Sequence, residues 1–220
     1  MTTSVLSPQL KSYSIETEIQ PQIESMIDEL IAWLPDPGQL TAEDRRGLIA
    51  RYSSVLEGNF IYWMTATYLA VRSEEARPII IDNLMEEVRD SHPAMLRRFT
   101  IAAGAFPTEA DGMAVNEDLT RVRLFLGRLS GVRSLLTMGL FEGFIQKFMP
   151  YLAELAALQG STEMEYTDVH GICDIAHTQG LFTALAAEIA VNPLEPGVDI
   201  FEGVYLLRNL IRTIVSGRAN

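Results

Sequence analysis

Apolar side chains recur three or four positions apart through most of this chain, the repeat of helices that bury one face. From Ser14 to Leu34 the stripe is Ile19, Ile23, Met26, Ile27, Leu30 and Leu34, and it stops at Pro35-Asp36-Pro37-Gly38. Thr41, followed by Glu43 and Asp44, offers a cap and early acids for a second helix that runs through Tyr68 to Ser73. A third begins near Glu75, tolerates Pro78 in its first turn, passes Ile79, Ile80, Leu84 and Val88, and reaches Ala103. Pro93, directly after His92, predicts a kink or break within it. Ala105 to Val115 reads as a loop. Asn116 or Asp118 opens a helix to about Leu129, and Gly131 separates it from a long apolar helix, Val132 to Leu158, ended by Gly160-Ser161. Thr167 to Ala190 and Asp199 to Val215 complete the set, with a Pro-containing turn from Asn192 to Gly197 between them. Nothing alternates as a strand would. The expectation is an all-α protein, a compact bundle of seven helices in a single domain over residues 1–220, with an N-terminal tail at 1–13.

Composition narrows the partners. The chain has 220 residues, 48% of them hydrophobic, enough for a sizeable core. Its formal net charge is −12, which repels phosphate backbones and anionic membranes, so neither nucleic acid nor membrane is expected as a partner. No signal-peptide pattern and no uninterrupted apolar run of membrane-spanning length is present, and a single cysteine, Cys173, excludes an internal disulfide. A cytoplasmic protein is the expectation.

Helical periodicity also shows which charged residues stand on apolar faces, where they must be paired, protonated or bound to metal. In DVHGICDIAHTQGL, His170, Asp174 and His177 are spaced i, i+4 and i+7 and form one stripe. Imidazole and carboxylate suit iron, manganese or zinc. The third of the chain's three histidines, His92, follows Glu86 and Glu87 by six and five residues, spacings that need a bulge or break to bring an acid to it. Glu142 has Met138, Gly139 and Ile145 on its face, and Glu57 has Phe60 and Ile61. Each of these two acids either faces a metal or is buried against an arginine, for which Arg51, Arg128 and Arg133 are in reach. Four helices thus each offer an inward candidate ligand, the way bundles build dinuclear sites. The Glu-x-x-His pairs of ferritin-like sites are absent.

The order Glu…His-Pro…Glu…His-x-x-x-Asp-x-x-His resembles the haem-oxygenase-like di-iron oxidases, closest to the group of the chlamydial protein associating with death domains. The resemblance rests on DNLMEEVRDSHPAMLRRF, on FEGF around Glu142 and on HGICDIAH, and it covers about residues 40 to 190. It implies a seven-helix haem-oxygenase-like bundle with a central site. It implies a metal held by Glu87, His92 and Glu142, with shared or neighbouring ligation by His170, Asp174 and His177. Glu87 is favoured over its rival Glu86 because it aligns with the family's Asp-Asn-Leu-x-x-Glu, and Glu57 matches an extra carboxylate that some members carry. It further implies two Fe(II) ions, or a manganese–iron pair, with labile binding, O2 as co-substrate, and a small-molecule substrate such as an amino acid or fatty acid. A homodimer is compatible with the fold. Some relatives convert their own tyrosine, which draws attention to Tyr52 and Tyr62. Two alternatives stay open: a non-enzymatic interaction or small-molecule-binding protein on the same fold, and a metal-free enzyme like the thiaminase-type or pyrroloquinoline quinone synthase branches. Cys173, off the ligand stripe, reads as a small packing residue.

Overall fold

The structure, a computed structural model, describes residues 18–193 and 197–217. The tail expected at 1–13 lies outside the described residues. All regular structure among the described residues is helical: α1 (Gln20–Ala32), α2 (Ala42–Leu56), α3 (Asn59–Ala70), α4 (Ala76–Arg89), α5 (His92–Ala102), α6 (Glu109–Leu126), α7 (Gly131–Leu158), α8 (Glu165–Val191) and α9 (Glu202–Ser216), with a short 3-10 turn at Pro37–Gln39. None of these helices is long and apolar enough to cross a membrane.

There are more helices than the seven expected, because two of the expected ones are each broken. The second divides into α2 and α3 where Glu57 turns extended (φ −60°, ψ 105°) and Gly58 turns left-handed (φ 78°). A side chain at Gly58 would meet no neighbour, so the glycine is there for its backbone, which an L-residue adopts at a cost of roughly 1 kcal/mol. The third divides into α4 and α5 at Asp90-Ser91, where Ser91 itself is left-handed (φ 58°). Pro93 therefore lies in the first turn of a new helix, where its missing N–H is no loss.

The segment from Ala105 to Val115 is a loop only in its first residues. Thr108 caps α6: its hydroxyl accepts from the Asp111 backbone N–H, and the Asp111 carboxylate accepts from the Thr108 N–H at 2.9 Å. This capping box starts the helix well before Asn116.

α7 is the central element. It packs along α8 and also touches α1, α2, α3 and α9. Its side chains are buried on nearly every face through the middle, among them Leu136, Met138, Leu140, Phe141 and Phe148. Each such burial contributes about 1.5–3 kcal/mol. At Gly143 a Cβ would stand 2.7 Å from Ile27 Cδ1, so α1 crosses α7 closely and the tip of Ile27 would have to shift to admit a larger residue. α8 in turn contacts α4, α5 and α7. Polar side chains that these four helices turn inward meet in one place.

Candidate metal centre

Six of the seven ligands expected from the sequence converge there. Glu87, on the last turn of α4, and His92, the first residue of α5, are brought together by the break at Ser91: Glu87 Oε1 lies 2.7 Å from His92 Nδ1. His170 on α8 adds Nε2 at 3.7 Å from the same oxygen, and its ring meets that of His92 edge-on with centroids 4.5 Å apart. One turn along α8, Asp174 Oδ1 is 3.4 Å from His177 Nδ1, and Glu142 Oε2 from α7 is 3.8 Å from the same nitrogen. Glu87, His92, Glu142, His170 and Asp174 are all buried, and the His177 side chain is 9% exposed.

Two groupings result, Glu87–His92–His170 and Asp174–His177 with Glu142. The resemblance implied Glu142 beside Glu87 and His92; the His–carboxylate contact that the structure gives Glu142 is with His177. The arginine alternative for Glu142 is not realised. Arg51 bonds the carbonyls of Ile214 and Val215, and Arg128 and Arg133 both pair with Glu202.

Glu57 is the exception. It is exposed at the α2–α3 break and joins neither grouping, because the helix ends there and turns its side chain away from the face that Phe60 buries. Tyr62 is also at the surface, beneath the Arg123 guanidinium. Tyr52 is buried, its hydroxyl 2.8 Å from that of Tyr166. Phe60 lines the small cavity beside the centre, while Trp63, Met64, Met138, Phe141 and Phe144 pack in the core.

The surroundings orient the donors. His170 Nδ1 gives its hydrogen to the Tyr166 carbonyl at 2.8 Å, which leaves Nε2 to face Glu87. His177 Nε2 donates to Glu86 Oε2 at 2.9 Å, which leaves Nδ1 to face inward. Glu86 therefore stands outside the centre as a partner of His177, and Glu87 stands inside it. Asn83, one turn before Glu87, donates to Glu142 Oε1 at 2.9 Å. Such outer hydrogen bonds fix the tautomer and direction of metal-binding imidazoles. Sequence reading missed Asn83 and Tyr166, although each extends a stripe it recognised by one turn, 83–87 on α4 and 166–170–174–177 on α8. It also placed Cys173 away from the stripe, whereas the thiol donates to Asp174 Oδ1 at 3.3 Å. Burial and the neighbouring acids push that thiol far above its ordinary range, which suits a protonated group and not a thiolate nucleophile.

Charge is strongly perturbed. Burial pushes the Glu87 carboxyl up, but hydrogen bonds from His170 and His92 outweigh it and hold the group at about 2. Burial and the nearby Asp174 raise Glu142 well above the carboxylate range. Burial alone would lower His170 and His177, yet the acids beside each raise both. Several buried polar atoms have no hydrogen-bond partner among the described residues, including Asp174 Oδ2 and His177 Nδ1. Another buried acid shows the contrast: Glu188 accepts from the backbone N–H groups of Arg72 and Ser73 and from the Asn192 amide, so it is a structural tie. The orphaned atoms and the donor set of three imidazoles and three carboxylates fit divalent metal, which neutralises the charge and uses the unpaired atoms.

No protein-family model matches the chain, and no curated protein is significantly similar to it.

Proposed function

We propose that the chain is an O2-activating oxidase or oxygenase that holds two iron ions, or iron and manganese, and acts on a small molecule such as an amino acid or fatty acid. The observation that carries this reading is the convergence of donors from α4, α5, α7 and α8, with Asp174 Oδ2 and His177 Nδ1 lacking a hydrogen-bond partner among the described residues and carboxylates only 3.4 and 3.8 Å from that nitrogen. Glu87, His92 and His170 would hold one ion, and Glu142, Asp174 and His177 the other. With Glu86 behind His177, the four carboxylates match the charge of two divalent cations. When bound, reduced iron supplies electrons to O2. The protein's own residues do the rest. The Tyr166 carbonyl and Glu86 set the rings of His170 and His177, and Asn83 fixes one oxygen of Glu142. Leu56, Phe60, Ile61, Pro93, Leu96 and Ile145 wall the adjoining cavity and exclude water from the centre. An apolar wall of this kind favours a substrate whose reacting part is hydrocarbon.

The haem-oxygenase-like family remains part of this proposal, on the motifs quoted above. Anaerobic titration with Fe(II), read by Mössbauer spectroscopy and metal analysis, tests it. The expected result is about two ions per chain, with loss of binding in Glu142→Ala and His170→Ala. If both variants hold iron as the parent does, the assignment is wrong. A parent that takes up no iron would favour the interaction protein or the metal-free enzyme, whose activity a chelator leaves intact.

A further inference from the structure

The centre has two unlike flanks. On one side lies the apolar cavity, about 20 Å3 in volume. That is close to the least space one water needs. On the other side, between α4 and α8, a groove of about 210 Å3 is lined by Ile79, Asp82, Asn83, Glu86, Ala176 and His177. The groove admits a cation with its hydration shell, while the inner cavity does not.

Two groups connect the groove to the centre. His177 faces Glu86 with Nε2 and Glu142 with Nδ1, so one ring touches an acid of each compartment. Asn83 is 4% exposed, lines the groove and donates its amide to Glu142, while its amide oxygen has no hydrogen-bond partner among the described residues. This acceptor lacks a donor and lies in a groove lined by two acids, and a hydrated cation would supply that donor. No lysine or arginine is among the residues that line the groove, so its two carboxylates face no cation there.

We propose that the α4–α8 groove is a divalent-cation loading site, with Asp82 and Glu86 collecting the hydrated ion and Asn83 and His177 receiving it on the way to Glu142. The inference rests on the two-metal reading. A hydrated cation is attracted by the two carboxylates, gives hydrogen bonds from its water to the Asn83 amide oxygen, and exchanges water for the imidazole and the Glu142 carboxylate as it moves inward. No covalent step is involved. The apolar cavity takes no part in this route.

Rapid mixing of the metal-free protein with Co(II), followed by its d–d absorption, tests the route. Asp82→Lys and Ala176→Lys place a positive charge at the groove, Ala176 being an exposed helix position that tolerates the change. Met113→Lys makes the same change in charge as Ala176→Lys, but on α6, which packs against α2 and α9. Both groove variants should load about tenfold or more slowly at low salt, the scale of electrostatic steering. They should reach the parent's final stoichiometry and spectrum, and Met113→Lys should load at the parent's rate. Equal loading rates for the parent and both groove variants would overturn the route while leaving the two-metal reading intact. A parent that binds no Co(II) would overturn both.

Discussion

Glu86 and Glu87 are adjacent in the chain and differ in every physical respect. A helix turns about 100° per residue, so the pair cannot share an environment. Glu87 is buried against two imidazoles, and Glu86 is half-exposed and holds the outer nitrogen of a third. Their substitutions should therefore separate. Glu87→Ala removes a donor and should abolish one of the two ions. Glu86→Ala leaves all six inner donors and frees only the His177 ring, so metal affinity should fall about 10–100-fold with stoichiometry unchanged. Competition with a chelator of known affinity distinguishes the two outcomes, and equal losses would remove the assignment of inner and outer roles. The sequence held the acids and imidazoles themselves, since charges on apolar faces are visible without a structure. It did not hold which neighbour each one met. The grouping of Glu142 with His177, the exposure of Glu57 and the support from Asn83 depend on helix crossings that periodicity does not encode.

At the scale of the element, the long periodic stretches were legible and their interruptions were not. Gly58 lies within a stretch whose apolar repeat reads as one unbroken helix, yet its left-handed backbone ends one helix and begins another. The start of α6 was lost for the opposite reason. Pro107 and Gly112 suggest a loop, yet the Thr108–Asp111 capping box overrides them. Thr108→Ala should cost about 1 kcal/mol by denaturant unfolding. The same cap gives a pH dependence. Burial raises the Asp111 carboxyl, but hydrogen bonds from Thr108 and Arg46 outweigh it and hold the group below the ordinary aspartate range. A depressed folded-state value means the stabilisation is present above the unfolded value and is lost as pH falls through the folded one. Asp111→Asn should thus lower the melting temperature at neutral pH, with the difference from the parent shrinking below pH 3.8. A difference that stays constant to the most acid pH would refute this linkage. Helix α9 tests packing: a Cβ on Gly203 would lie 2.2 Å from both Phe125 and the Thr137 hydroxyl. Gly203→Ala should destabilise by about 1–3 kcal/mol through overpacking.

For the whole molecule, the burial of so many titratable groups at one point makes stability depend on what occupies that point. A ligand that binds only the folded state stabilises it by RT ln(1 + [L]/Kd), about 2.7 kcal/mol at a hundredfold excess over Kd. The metal-free protein should melt at a lower temperature than the Fe(II) or Mn(II) form, and the gap should widen with metal concentration in a calorimetric scan. The His170→Ala variant should show little of this dependence. A melting temperature indifferent to metal in the parent would mean that these side chains are satisfied without it.

The link at Ser91 carries a consequence for how the centre responds to its contents. Glu87 and His92 belong to different helices, and only Asp90 and Ser91 separate those helices. The rotation of one ligand about the other is governed by a handful of backbone torsions and not by a rigid rod. If Glu87 and His92 were to share an ion, α5 would swing against α4, and Leu96 and Pro93, which wall the apolar cavity, would swing with it. On the two-metal reading, the width of the apolar chamber and the filling of the inorganic site would be mechanically one variable.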